Sequence, residues 1–373
     1  MTTRPAGEGS AGSSNAAAPG DAKAGNRLAY LDWTRGLAAV TMLQGHVFHS
    51  FTDVKLKETY PYLMTQFLGG MPPAMFLFLT GVTLAFMLNG QERRGALGWG
   101  RVWAAMKRAR YMLIMAFAFR IQLWLSAWPQ HWSAIFRVDI LNCMGLAIIA
   151  CSWLALLSTL QRAWAGAAAG LLIATASPMV SGVDWGGLHP FIVQYLKPDY
   201  NFFAFFPWAS YLAFGVAAGS VIRLVPSGGV PRMMQWFAIT GSGLILAGEF
   251  FSDLPYSILP NSQFWLNSPN LIFIKLGLTL IVVSFAHLWM THRNPEGRWS
   301  FLTQLGTTSL LVYWAHIELV YGRWFGIFRD TLSLELTAVI AVVVIGLMVA
   351  LSVGRTNWRA IRQRFAVQPA NRL

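Results

Sequence analysis

The apolar run over residues 28–51 holds four ionisable side chains, Asp32, Arg35, His46 and His49. On a helix turning 100° per residue, Arg35 and His46 fall about 20° apart, with Asp32, Met42 and His49 within about 60° of Arg35. One stripe thus carries an acid, a cation and two imidazoles, and Gly36 and Gly45 beside it permit close packing. Ionisable groups are costly in a bilayer, so such a stripe marks a functional site unless its members pair with one another. A histidine, titrating near neutrality, suits a general base or an acyl-carrying nucleophile, and an arginine suits an anionic ligand. The simplest structural reading, an i,i+3 pair of Asp32 with Arg35, leaves the two histidines unexplained.

Depth extends the argument. Entering at Arg27, a helix places Arg35 about 12 Å and His46 about 28 Å into the membrane. With the third span starting at Tyr111, Arg120 lies about 13 Å in from the same side. Two arginines at one depth suit an anionic ligand entering from the cytoplasm. In the second span, Gly69-Gly70-Met71-Pro72-Pro73 is expected to interrupt the helix, which restarts at Pro72 with a positive dipole end near the level of His46. N–H groups at Pro73–Ala74 there, or Tyr313, could stabilise an oxyanion. Near the end of the chain, Ser309, Tyr313 and His316 share a helix face. Glu318, about 200° from His316, is expected to be a bundle contact. Glu249 and Lys275 read as a structural pair or as snorkelling groups, and His131, His189, His287 and His292 as ordinary. No zinc-ligand spacing, GxSxG elbow or Walker motif occurs, so neither metal nor ATP chemistry is expected.

The elements that position these residues follow from composition. Of 373 residues, 55% are hydrophobic and 12% charged, against about 25% charged in soluble proteins. That excludes a soluble enzyme, a disordered protein and a disulfide scaffold. The expected fold is all-α, a polytopic membrane bundle of about ten transmembrane helices near 28–50, 66–89, 111–128, 139–158, 163–178, 203–222, 234–252, 270–290, 304–322 and 333–353. The fifth, short and rich in Ala and Gly, is the weakest. With the amino terminus inside, nineteen Lys and Arg fall on the inner side and six in outer loops, which places both termini in the cytoplasm. The net charge of +13 therefore reflects membrane flanks, chiefly Arg93 to Arg110 and the tail from Arg355, and nucleic acid is not expected as a partner. Residues 1–26 read as a disordered Ala/Gly/Ser-rich tail, 27–355 as one transmembrane domain and 356–373 as a basic cytoplasmic tail. Segment 179–202 suits an interfacial loop or lid. Cys143 and Cys151, eight apart on one helix, are too distant for a disulfide and read as packing residues.

At these positions the chain resembles a known family. Arg27-x3-Leu31-Asp32-x2-Arg35-Gly36-Leu37-Ala38…Met42…His46 is similar to the opening of the heparan-alpha-glucosaminide N-acetyltransferase-like family, within the wider acyltransferase-3-type group. Three further blocks follow in the family's order: Pro72 to Gly81, Arg137-Val-Asp139-Ile-Leu-Asn142-Cys-Met-Gly145, and Leu305 to His316. The resemblance implies acetyl-CoA bound from the cytoplasm and an acyl group delivered to a carbohydrate acceptor across a cell membrane, the inner membrane in a bacterium. It implies His46 as the catalytic histidine and Arg35 as a donor contact; His49 is the only other local histidine, since 51–62 has none. Together with the helix reading this makes His46, Asp32 and His316 the catalytic candidates, and Arg35, Arg120, Pro73, Asn142 and Tyr313 the acyl-CoA contacts. The expected partners are the lipid bilayer, the donor, the acceptor and, compatibly, further copies of the chain. A rival reading is a secondary transporter of an anionic solute using Arg35, Arg120 and the broken second helix. The lack of an internal repeat counts against it.

Overall fold

The computed structural model describes residues 19–293 and 298–366, with side chains at 29–293 and 298–358. The tail expected to be disordered thus lies outside the described residues up to residue 18, and helix α1 (Pro19–Phe51) is already running before the expected entry at Arg27. The side chains of Arg27 and of the basic tail beyond Trp358 also lie outside the description.

Twelve helices follow: α2 (Tyr60–Gly69), α3 (Pro72–Arg93), α4 (Gly98–Ser126), α5 (Ile140–Ser152), α6 (Thr159–Ser181), α7 (Pro190–Leu196), α8 (Phe205–Leu224), α9 (Val230–Ser252), α10 (Pro269–His292), α11 (Phe301–Thr307), α12 (Ser309–Tyr321) and α13 (Leu334–Ala366). Among the described residues there is no strand, only isolated bridges joining Thr52 to Leu332 and Asp199 to Phe202. The fold is all-helical. Among the described residues, five segments are long and apolar enough to cross a membrane: Tyr60–Arg93, Thr159–Ser181, Phe205–Leu224, Pro269–His292 and Leu334–Trp358. The second of these is the Ala/Gly-rich run that the sequence marks as weakest.

The bundle is organised by close helix pairs, α3 on α8, α8 on α6, α9 on α10, α4 on α5, and α1 on α11. The α1–α11 contact sets the site. An added Cβ at Gly306 would overlap the carbonyl oxygen of Asp32, and one at Gly36 would overlap that of Leu302. Glycine is therefore required at both crossing points. Gly45 and Gly69 play the same part where α1 meets α2. Replacing Gly306 with Ala is expected to force α11 away from α1 and cost about 1–3 kcal/mol, read as a lower melting temperature in detergent.

Two expectations about element boundaries change. Helix α4 begins at Gly98 and not at Tyr111. The basic residues of 101–110 are compatible with helix because they point in different directions: Lys107 and Arg110 are exposed, while Arg101 is buried and pairs with Glu92 of α3 at 3.3 Å. Glu92 also receives the fully buried Arg162 of α6 at 3.1 Å. The segment 304–322 is two helices, α11 and α12, broken at Thr308. Cys143 and Cys151 are buried free thiols, not joined in a disulfide.

Candidate active site

A cavity of about 1610 Å³ runs between α1, α3, α4, α5 and α12, and Asp32, Arg35, Met42 and His46 all line it. The stripe read from helical periodicity is therefore its α1 wall. Arg35 donates to the Asp32 carboxylate at 2.6 Å, so the i,i+3 pair exists and faces the cavity as well. His49 is not in the lining; it is exposed, and its Nδ1 lies 3.2 Å from the Tyr321 hydroxyl. Of the two histidines, His46 lines the cavity and His49 does not.

Nδ1 of His46 stands 2.9 Å from Nε2 of the fully buried His316, and Nδ1 of His316 stands 2.8 Å from the Val312 carbonyl. A carbonyl can only accept. In the neutral pair, His316 must then carry its hydrogen on Nδ1, leaving Nε2 to accept from His46 Nδ1–H. The consequence is that His46 holds its free lone pair on Nε2. Two buried contacts thus assign the tautomer of a cavity-lining imidazole, the arrangement a general base requires. His316 itself is absent from the lining and touches the cavity wall only through His46.

Helix α12 presents the row Ser309, Tyr313, Ile317 and Tyr321 to the cavity. His316 flanks this row on the α1 side. Glu318 flanks it on the other, lining the cavity and accepting from Gln122 of α4 at 2.7 Å. Of the two, it is Glu318 and not His316 that lines the cavity, the reverse of the expected orientation. Glu318 is both a bundle contact and part of the wall. The Tyr313 ring lies 5.3 Å from Phe119 and 5.8 Å from His316.

The helix break falls where the sequence places it, between α2 and α3, and Pro72 and Pro73 line the cavity. Its electrostatics differ from expectation. Proline has no N–H, so the first two turn positions donate nothing, and the next residue, Ala74, is buried outside the lining. The break shapes the wall more than it charges it. Its loose carbonyl, that of Gly70, is satisfied by Nζ of Lys275 from α10 at 3.1 Å. Lys275 is therefore neither snorkelling nor ion-paired with Glu249; among the described residues it makes no ion pair.

Arg120 lines the cavity but not beside Arg35. Counted from Gly98 it lies about 33 Å along α4, and its Nε and Nη2 both donate to the Ala134 carbonyl beyond the end of that helix, at 3.2 and 2.6 Å. The cation that shares the Asp32 end of the cavity with Arg35 is Arg108, which lines it and donates to Thr83 at 2.9 Å. It was hidden in the basic run, and the apolar residues interleaved at Val102, Ala105 and Ala109, all buried, were the signal that the helix continued. Asn142 is buried and outside the lining. Its side-chain oxygen accepts from the Asp139 N–H at 3.2 Å in a capping box, and its amide donates to Tyr195 at 3.0 Å. It positions α5 against α7, and Gln194 of α7 and Asn201 beyond it line the cavity.

Residues 27–247, more than half of the chain, match the family described as heparan-alpha-glucosaminide N-acetyltransferase, catalytic. The chain belongs to this family. A comparison with curated proteins finds no match. Membership in the heparan-alpha-glucosaminide N-acetyltransferase catalytic family makes the protein a membrane transferase. The matched segment holds the α1 stripe, the break before α3 and both cavity arginines of α4; His316 and Tyr313 lie beyond it and join the site only through the fold.

Proposed function

We propose that the protein is an integral membrane acyltransferase that moves an acetyl group from cytoplasmic acetyl-CoA to a sugar or glycan acceptor, with His46 as general base. The observation that carries this is a single cavity that joins a cationic end, Arg35 and Arg108, to an imidazole whose tautomer is set by His316. The topology that fits is about ten spans with both termini cytoplasmic, in a cell membrane, so that the Asp32 end opens toward the donor and the Arg120 end toward the acceptor. A drug-sized ligand occupies about 300–1,000 Å³, so a cavity of about 1610 Å³ has room for donor and acceptor together.

In the reaction, a donor phosphate meets Arg35 and Arg108 and the pantetheine arm extends along the stripe to His46. The acceptor's heteroatom attacks the thioester carbon while His46 Nε2 takes its proton. Tyr313 donates to the tetrahedral oxyanion. The C–S bond then breaks, and His46 returns the proton to the leaving sulfur. Asp32 holds Arg35 in place. The family description makes a terminal glucosaminide the first acceptor to try.

Calorimetry of the detergent-purified protein with acetyl-CoA tests the reading. Binding to the wild type, weakened in Arg35→Ala, supports it, and a wild type that binds no acetyl-CoA overturns it. Rapid quench with radioactive acetyl-CoA separates direct transfer from an acyl-histidine; direct transfer leaves no acetyl group on the protein.

A further inference from the structure

Helix α4 carries five cations, Arg101, Lys107, Arg108, Arg110 and Arg120, and no acidic residue. Three have the partners described above: Glu92 for Arg101, Thr83 for Arg108 and the Ala134 carbonyl for Arg120. Lys107 and Arg110 are exposed and, among the described residues, make no ion pair. They stand three residues apart on one face, and like charges so placed are unfavourable without an anion between them. A second cavity begins at Arg110. It is a groove of about 490 Å³ between α4 and α5, and Arg110 is the only charged residue in its lining. The rest is apolar, chiefly Met106, Leu113, Phe117 and Ile121 of α4 and Ile149 of α5. The groove lies on the outside of the bundle, with Ile114 and Ile121 exposed along it, and shares no residue with the lining of the site cavity.

The dimensions say what fits. From Arg110 to Ile121 the helix rises about 17 Å, against about 15 Å for half of a hydrocarbon core about 30 Å thick. A groove of that length, apolar along its floor and charged at one end, matches one acyl chain below one phosphate. Any phospholipid offers the chain, so charge decides among headgroups. A zwitterionic headgroup brings its own cation toward Lys107, whereas an anionic one leaves a net negative charge for the pair. Arginine holds a phosphate through paired N–H donors, and lysine holds it as a point charge. We propose that the α4–α5 groove binds an anionic phospholipid, with its phosphate on Arg110 and Lys107 and one chain along Leu113, Phe117 and Ile121. On the topology proposed above, this end of α4 meets the cytoplasmic leaflet, whose anionic lipids attract basic segments. The lipid site does not depend on the acetyltransfer reading.

The test is photolabelling of the purified full chain in detergent by a trace of phosphatidylglycerol that carries a photoreactive group on one acyl chain. Peptide mass spectrometry should find adducts on residues 113–121 of α4 and on Ile149 of α5. Unlabelled phosphatidylglycerol is expected to compete roughly 30-fold better than phosphatidylcholine with the same chains, the preference two cations near a lipid surface would give. Lys107→Gln combined with Arg110→Gln should remove that preference and leave the melting temperature in lipid-free detergent unchanged. Adducts that both lipids compete equally, or that the double substitution leaves intact, would mean ordinary boundary lipid and overturn the site. Competition by glycerol phosphate or acetyl-CoA would make the two cations a contact for soluble phosphates, and the lipid assignment would fall. If the double variant melts early, Ile149→Trp, which narrows the groove and keeps both charges, goes through the same labelling. Fewer adducts on α4 are then expected, and an undiminished yield refutes the proposal.

Discussion

His46→Ala is expected to lower acetyl transfer by about 10²–10⁴-fold, the range a positioned general base contributes, while acetyl-CoA affinity and melting temperature stay near wild type. The expectation of a folded variant rests on the packing: His46 is only half-buried, and the neighbours that hold this part of α1, Leu43 and Val47, are fully buried and unaffected. His316→Phe provides the contrast. It keeps the ring volume but removes the acceptor for His46 Nδ1–H, so the base remains while its tautomer and orientation are released. A loss of rate smaller than that of His46→Ala, with donor affinity retained, is the expected result. Equal turnover of His46→Ala and wild type would remove the base from the mechanism. Loss in His49→Ala of the size expected for His46→Ala would move it by one helical turn, against the exposure of His49 and its absence from the cavity wall.

The α1 stripe was legible because its information is local: a 100° rotation per residue places Asp32, Arg35, Met42 and His46 on one face, and the same four line the cavity. The break before α3 was legible for a similar reason, since two consecutive prolines leave a helix only one place to start. What was illegible lies in relations between distant segments. The partner of His46 is 270 residues away, and nothing in either helix alone says that the two rings meet. The start of α4 was misplaced because charge was taken as a sign of a membrane flank. The helix keeps its basic residues by giving Arg101 a carboxylate at Glu92, Arg108 the cavity and Lys107 the exterior. That one shift moved Arg120 from the donor end to the far end and replaced it with Arg108. Asn142 shows a different limit. Its motif is recognisable, but whether an amide touches ligand or caps a helix depends on a hydrogen bond that the sequence does not contain.

Replacing Arg108 with Leu is expected to raise the KM for acetyl-CoA about 10- to 100-fold, the equivalent of one hydrogen bond to a charged group at about 1.5–3 kcal/mol, with little change in kcat. The Asp32 end of the cavity holds two cations and one carboxylate. Asp32 is occupied by Arg35, and Arg108 has a neutral hydroxyl, that of Thr83, as its partner. The site therefore has one positive charge in excess, and a phosphate supplies the missing anion. Arg35→Leu should weaken donor binding by at least as much, because it also leaves Asp32 facing the same phosphate; adding Asp32→Asn should recover part of that loss. Acetyl-pantetheine, which carries the thioester without the nucleotide phosphates, distinguishes charge recognition from a distorted wall. Its KM should be high for the wild type and unchanged by Arg108→Leu. If the substitution harms both donors alike, the arginine shapes the cavity and does not read charge. The donor must then be held elsewhere, with the exposed Arg93, Arg94 and Lys107 as the remaining cations at that end of α3 and α4.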